Sequence, residues 1–98
     1  MIVFTPRAGR QVRELRRHYE DRGRPEATRA LAAALESAWQ TITTNPGAGL
    51  ATPRPYPQLA QPGRAWVKAG RYWIAYNTTR PPVISAVFYE TANIPGRL

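Results

Sequence analysis

Cysteine is absent from this chain of 98 residues, and histidine occurs only once, as His18. Without cysteine the chain cannot form disulfide bonds, cysteine-based zinc sites or a thiol nucleophile. One histidine is too little for a histidine-based transition-metal site or a serine–histidine catalytic pair. We therefore predict a protein that uses no metal and no cofactor.

Long apolar runs are also missing, since no stretch approaches the roughly 18–20 residues of a membrane-spanning helix. The first six residues lack the apolar segment of a secretory signal peptide. We therefore expect a cytoplasmic protein that has no membrane partner. The length and the 43% hydrophobic content predict one small domain over residues 1–98, with a modest core that benefits from a partner.

Acidic residues are scarce. The chain contains six acidic and fourteen basic residues, which gives a net charge of +8. A field of this size attracts nucleic acid, anionic lipid or an acidic protein. Residues 46–98 contain six basic side chains and only one acidic residue, Glu90. We therefore expect the second half of the chain to face the anionic partner.

Two helices are predicted in the first half. Thr5-Pro6 combines an N-cap residue with proline at the first helical position, and apolar residues then recur at helical spacing as far as Arg22-Gly23. Pro25 begins a second helix of about 20 residues that ends at Asn45. The short link predicts an antiparallel helical hairpin.

Strands are predicted on both sides of this hairpin. Residues 2–5 form a short β-prone run, and residues 46–63 are a proline-rich loop. Apolar residues then alternate with a period of two in 64–69, 71–78 and 83–90. The order β-αα-βββ predicts an α+β domain whose helical hairpin covers one face of a small antiparallel sheet.

Cations and indoles share one face of the predicted hairpin of strands. A turn centred on Ala69-Gly70 places Trp66 opposite Trp73. Alternation then directs one set of side chains toward the helices: Ala65, Val67, Tyr72, Ile74 and Tyr76. The open face of the sheet carries Arg64, Trp66, Lys68, Arg71 and Trp73.

Exposed aromatic residues among arginines are typical of surfaces that bind proteins or single-stranded nucleic acid. We therefore predict that this open face binds a partner. The alternative is that Trp66 and Trp73 only stabilise the sheet, with cation–π support from their neighbours. A one-residue change of register would bury both indoles.

Several segments resemble those of a known family: residues 45–49, 64–67, 70–76, 83–89 and 92–95, which read NPGAG, RAWV, GRYWIAY, VISAVFY and ANIP. They are similar to the RelE/ParE superfamily of type II toxin–antitoxin modules, whose fold agrees with the predicted order of elements. The resemblance covers nearly the whole chain. It implies a toxin that an acidic cognate antitoxin neutralises in a hetero-oligomer.

The superfamily has two branches. RelE-like members cut mRNA in the ribosomal A site, using Arg and Lys on the open sheet face and a C-terminal Tyr. ParE-like members bind and poison DNA gyrase without nucleolytic residues. This sequence departs from the nuclease pattern, since Trp73 replaces a frequent catalytic Arg and Ala92-Asn93 replace late basic residues, leaving Arg97 as the only late cation.

The resemblance therefore favours the ParE-like branch, with DNA gyrase as the expected target. Residues expected to contact the target or the antitoxin are Arg64, Trp66, Lys68, Arg71, Trp73 and Arg97. The alternative is a ribosome-dependent mRNA endonuclease that acts through Arg64, Lys68, Arg71 and Tyr89, since phosphate charge can be stabilised by Arg or Lys without a metal. A non-toxic basic module that binds nucleic acid is a third hypothesis.

Overall fold

The computed structural model describes residues 1–53, 56–79, 81–91 and 94. Its main elements are helix α1 (Pro6–Asp21), helix α2 (Pro25–Thr44) and strands β1 (Arg64–Ala69), β2 (Tyr72–Asn77) and β3 (Val83–Tyr89). Two short 3-10 helices, Pro46–Ala48 and Pro57–Leu59, lie between α2 and β1. The fold is α+β, as the sequence predicts.

Both helices begin at the predicted prolines. At the start of α1 the Thr5 hydroxyl accepts a hydrogen bond from the Ala8 backbone N–H at 3.1 Å, so Thr5 is the N-cap. Between the helices the chain reverses at Gly23, whose φ of 63° is a conformation that residues with a side chain rarely adopt. The predicted helical hairpin is therefore confirmed.

The three strands form an antiparallel sheet in the order β1-β2-β3. The predicted strand at residues 2–5 is reduced to a single parallel bridge between Phe4 and Ile84. In this bridge the Ile84 N–H donates to the Val3 carbonyl and the Thr5 N–H donates to the Ile84 carbonyl, each at 2.9 Å. The start of the chain thus lies along the outer edge of β3.

The predicted register of β1 and β2 is wrong by one residue at the turn. Lys68 lies opposite Trp73 and Ala69 opposite Tyr72, so the turn consists of Gly70 and Arg71. Gly70 has φ of 56° and occupies the first central position, where a type II′ turn requires glycine. Each β1 residue therefore pairs with a β2 residue two positions further along the chain than predicted. A shift of two positions leaves every side chain on its predicted face of the sheet.

Each face of the sheet has its own apolar cluster. The helix-side core joins α1 and α2 to the sheet residues predicted to face them, including Ala65, Tyr72, Ile74 and Tyr76. The loop-side core covers the opposite face and contains Trp66, Trp73, Ala75, Ala86, Phe88 and Ile94, with Tyr56 and Leu59 packed against it. The sheet is therefore buried on both faces, and the face predicted to be open is covered.

Among the described residues, no helix combines the length and the apolar character that crossing a bilayer requires.

Candidate functional site

Trp66 and Trp73 are buried, so the predicted exposed pair of indoles is wrong. Their exposed fractions are 0% and 6%, and Trp66 lies opposite Ala75 rather than opposite Trp73. The Trp66 ring instead stacks on that of Phe88, with centroids 6.4 Å apart. The cause is the cover supplied by the loop before β1 and by Ile94, which the periodicity of the strands does not encode. In this conformation the two indoles contribute almost nothing to the surface of the protein.

Arg64 lies at the start of β1 and is held against the protein. Its Nη2 donates to the Leu59 carbonyl at 2.5 Å, and its guanidinium carbon lies 5.4 Å from the centroid of the Trp66 ring. Burial lowers the pKa of Arg64. Arg64 therefore ties the second 3-10 helix to the sheet through Nη2, and its Nε is buried as well.

The remaining sheet cations lie together at the β1–β2 turn. Lys68 Nζ is 3.7 Å from Glu90 Oε2, and Arg71 Nη1 is 3.8 Å from Glu90 Oε1. Arg71 Nη1 also donates to the Tyr89 hydroxyl at 3.4 Å; this bond, followed by the charge of Glu90, raises the pKa of Arg71. We call Lys68, Arg71, Tyr89 and Glu90 the turn cluster. Its single carboxylate partly neutralises two exposed cations.

A groove of about 800 Å³ opens beside the turn cluster, between the helical hairpin and the end of the sheet. Tyr19 and Tyr72 line this groove, and their hydroxyl oxygens are 2.5 Å apart. Burial and this hydrogen bond raise the pKa of Tyr72 well above its usual range. His18 and Arg24 line the side of the groove formed by the helices.

Sequence reasoning missed this groove. In the sequence, Tyr19 and Tyr72 both occupy apolar faces and so predict core positions, and Arg24 lies in a link between helices that has no distinctive pattern. The only sign of the groove in the sequence is the hydroxyl of Tyr19 on an apolar helix face, since a buried tyrosine hydroxyl needs a hydrogen-bond partner.

The structure brings together three of the four residues predicted for a nuclease. Lys68, Arg71 and Tyr89 belong to the turn cluster, whereas Arg64 lies four residues before Lys68, about 13 Å along the strand. Arg97 and Ala92-Asn93 lie outside the described residues. Within the described part of the chain, no three residues of the metal-binding types His, Cys, Asp and Glu are grouped so that they could hold an ion.

A helical hairpin packed on one face of a three-stranded antiparallel sheet is the arrangement expected of a RelE/ParE-type toxin. A family model described as the ParE toxin of the type II toxin–antitoxin system parDE matches residues 2–88. The match extends from the segment before α1 almost to the end of β3, so the chain belongs to the ParE toxin family. The predicted superfamily is thereby confirmed. No curated protein matches the chain.

Proposed function

We propose that this toxin arrests growth by binding DNA gyrase without catalysing a reaction of its own, and that an acidic antitoxin neutralises it. The observation that carries this proposal is the covered sheet face. Tyr56, Leu59 and Ile94 occupy the surface through which RelE-like members are expected to act on mRNA, and Trp66 and Trp73 are buried beneath them. A polynucleotide could reach this face only if the cover moved.

The cations of the sheet also favour binding over cleavage. Stabilisation of a phosphoryl transition state needs preorganised positive groups aimed at the developing charge. Here Arg64 bonds a backbone carbonyl, and Lys68 and Arg71 share the carboxylate of Glu90. Arg64 is therefore held against the protein, and Glu90 partly offsets the charges of Lys68 and Arg71, so the three cations are not aimed together at one external phosphate.

The antitoxin contact is proposed at the turn cluster and the adjoining groove. The side chains of Lys68 and Arg71 are 40% and 71% exposed, so carboxylates of an acidic partner can compete with Glu90 for them. The net charge of +8 would steer such a partner toward the toxin and accelerate association. Arg97, outside the described residues, remains a proposed contact.

A ribosome-dependent mRNA endonuclease is the second candidate. The observation in its favour is the hydrogen bond from Arg71 to the Tyr89 hydroxyl at 3.4 Å. A cation beside a phenol can stabilise the phenolate and so assist proton transfer. In this alternative Lys68 would stabilise phosphate charge beside the pair, while Arg64 would have to leave the Leu59 carbonyl.

Two assays with the purified chain separate these candidates. In the first, gyrase and plasmid DNA are incubated with the toxin, and we expect trapped cleavage complexes. In the second, translating ribosomes are incubated with the toxin, and we expect intact mRNA. Codon-dependent cuts in ribosome-bound mRNA without gyrase cleavage would contradict the proposal and support the endonuclease.

Expression without the antitoxin tests the same proposal in cells. We expect filamentous cells and induction of the DNA-damage response. Normal growth in the presence of soluble, folded protein would show that this chain is not an active toxin.

A further inference from the structure

The groove beside the turn cluster has an apolar lining that the fold covers only in part. Leu15, Ala27 and Tyr89 pack against the helix-side core but remain only half-buried, and all three line the groove. Ala30 also lines the groove and is exposed. An apolar side chain that enters the groove can therefore bury the remaining surface of these residues, which is favourable.

Tyr19 and Tyr72, which we call the tyrosine pair, have one hydroxyl hydrogen more than they use. Their two hydroxyls carry two hydrogens, and only one of these can lie in the bond that joins the two oxygens. In the described part of the chain, neither hydroxyl forms another hydrogen bond. The second hydrogen is therefore available to an acceptor from outside the protein.

The surroundings of the tyrosine pair show from which side an acceptor can approach. The Tyr72 ring meets that of Tyr89 edge to face at 5.6 Å, and the Tyr19 ring meets that of His18 at 5.8 Å. Burial, followed by the bond to Tyr19, raises the pKa of Tyr72, while the charge of Arg24 opposes this rise. The Tyr72 hydroxyl thus stays protonated at neutral pH, and its neighbours Tyr89 and Arg24 both line the groove. Because Tyr19 and Tyr72 are otherwise buried, the groove is the side open to an acceptor.

Two arginines add hydrogen-bond donors along the same groove. Arg24 bonds Glu26 through Nε at 3.3 Å, and Arg71 Nη1 lies 3.8 Å from Glu90. These carboxylates offset the positive charges, but a guanidinium has five N–H donors, so each arginine retains several of them. The side chains around the groove therefore offer more donors than acceptors.

These features restrict what can fill the groove. A segment bound there excludes water from the tyrosine pair. If the segment brings no acceptor, the second hydroxyl hydrogen is buried without a partner, which is costly. A carboxylate suits both the hydroxyl and the arginines, because hydrogen bonds to an ionised acceptor are roughly twice as strong as those between neutral groups.

We propose that the tyrosine pair is a specificity determinant for the antitoxin. A carboxylate of the antitoxin accepts the second hydroxyl hydrogen, while a neighbouring aliphatic side chain enters the groove. This inference rests on the antitoxin contact proposed above for the groove, and it specifies the chemistry that the contact requires. A segment that carries leucine in place of this aspartate or glutamate is rejected.

The first part of the test finds peptides that bind in the groove. Random peptides displayed on phage are selected on the immobilised full chain. Ala30→Trp fills the groove, whereas Ala32→Trp places the same side chain at an exposed position of α2 that does not line it. Peptides that bind Ala32→Trp but not Ala30→Trp occupy the groove. We expect these peptides to share an acidic residue beside an aliphatic one.

The second part is a double-mutant cycle on the tyrosine pair. One such peptide and its analogue with leucine in place of the acidic residue are titrated against wild type and against the double variant Tyr19→Phe with Tyr72→Phe. We expect the change to leucine to weaken binding to wild type by about 10- to 100-fold more than binding to the double variant, which is the scale of a hydrogen bond to a charged group.

Two controls accompany the cycle. The double variant should melt close to wild type, because replacing both partners of a hydrogen bond by apolar groups of the same shape is nearly neutral. Tyr56→Phe changes a tyrosine on the opposite face of the sheet and should bind both peptides like wild type.

The outcomes separate this inference from the proposal on which it rests. Equal losses in wild type and the double variant, or groove peptides without a shared acidic residue, would overturn the inference and leave the groove as a docking site. If no peptide distinguished Ala30→Trp from Ala32→Trp, the proposed antitoxin contact at the groove would be wrong, and this inference with it.

Discussion

The side-chain Oε1 of Gln11 accepts a hydrogen bond from the backbone N–H of Val87 at 2.8 Å. Gln11 belongs to α1 and Val87 to β3, so the bond joins the helical hairpin to the outer edge of the sheet. An unpaired strand edge is a site for pairing with other chains. The Gln11 amide and the bridge at Phe4 together occupy part of this edge.

Replacement of Gln11 should therefore destabilise the fold. Gln11→Leu keeps a side chain of similar length but leaves the Val87 N–H without its acceptor, which costs about 1–3 kcal/mol. In a domain of this size the melting temperature should fall by about 4–8 °C for each kcal/mol. Gln40→Leu, on the exposed side of α2, is the control and should melt like wild type. Equal melting temperatures for both variants would show that the Gln11 bond contributes nothing.

Because Trp73 is buried in the loop-side core, its replacement should strongly destabilise the fold. Trp73→Ala should lower the free energy of unfolding by about 3–5 kcal/mol, since it removes a buried indole and leaves a cavity. Lys68→Ala is the matched control, because its Nζ lies 5.6 Å from the centroid of the same ring but the residue is exposed. It should cost about 1 kcal/mol or less. Denaturant titration measures both, and a Trp73→Ala chain of normal stability would mean that the cover over this face is open in solution.

The structure leaves no room for a side chain at Gly49. The Tyr76 hydroxyl donates to the Pro46 carbonyl at 2.5 Å, and a Cβ at position 49 would collide with that hydroxyl and lie 2.9 Å from the Cβ of Ala65. Gly49→Ala should therefore lower the free energy of unfolding by about 1–3 kcal/mol. The same substitution in a Tyr76→Phe background should cost less, because one colliding atom is gone. Equal costs in the two backgrounds, measured by denaturant titration, would exclude this contact as the cause.

Alkaline pH should destabilise the toxin through Tyr72. The folded state keeps its hydroxyl neutral, whereas the unfolded chain ionises tyrosine near pH 10. Ionisation therefore favours unfolding, so this stabilising contribution is complete below pH 10 and declines as the pH rises above it. Burial raises the pKa of Tyr76 and adds an effect of the same sign. Urea midpoints at increasing pH should fall less steeply for Tyr72→Phe than for wild type, and parallel curves would contradict this assignment.

The helices and the sorting of strand faces were predictable because local signals determine them. Thr5, Gly23 and the two prolines mark the helix boundaries by their own chemistry. Alternation along β1 and β2 separated the helix-facing residues correctly, because a change of two places along β2 does not alter the face. The turn itself was misplaced because Gly70 was assigned to the second central position rather than the first.

The candidate site was harder to predict because it depends on contacts between distant residues. The cover over Trp66 comes from Tyr56, Leu59 and Ile94, in segments without a regular period. Glu90 forms ion pairs with Lys68 and Arg71 because β3 extends far enough to bring it beside the β1–β2 turn. Residue types suggested a cationic, aromatic surface, but only the three-dimensional structure separates the buried indoles from the exposed cations.

The bridge between Phe4 and Ile84 also bears on how the toxin is synthesised. The apolar side of the helical hairpin packs on a sheet whose residues are made after the hairpin, since α2 ends at Thr44 and β3 at Tyr89. At about 5–20 residues per second, the ribosome adds the intervening residues in roughly 2–9 s. During that interval the hairpin has no sheet to cover, and β3 has not yet reached the N-terminal segment. A chain whose translation stops before β3 therefore lacks one of the three strands, and we expect no toxic activity from it.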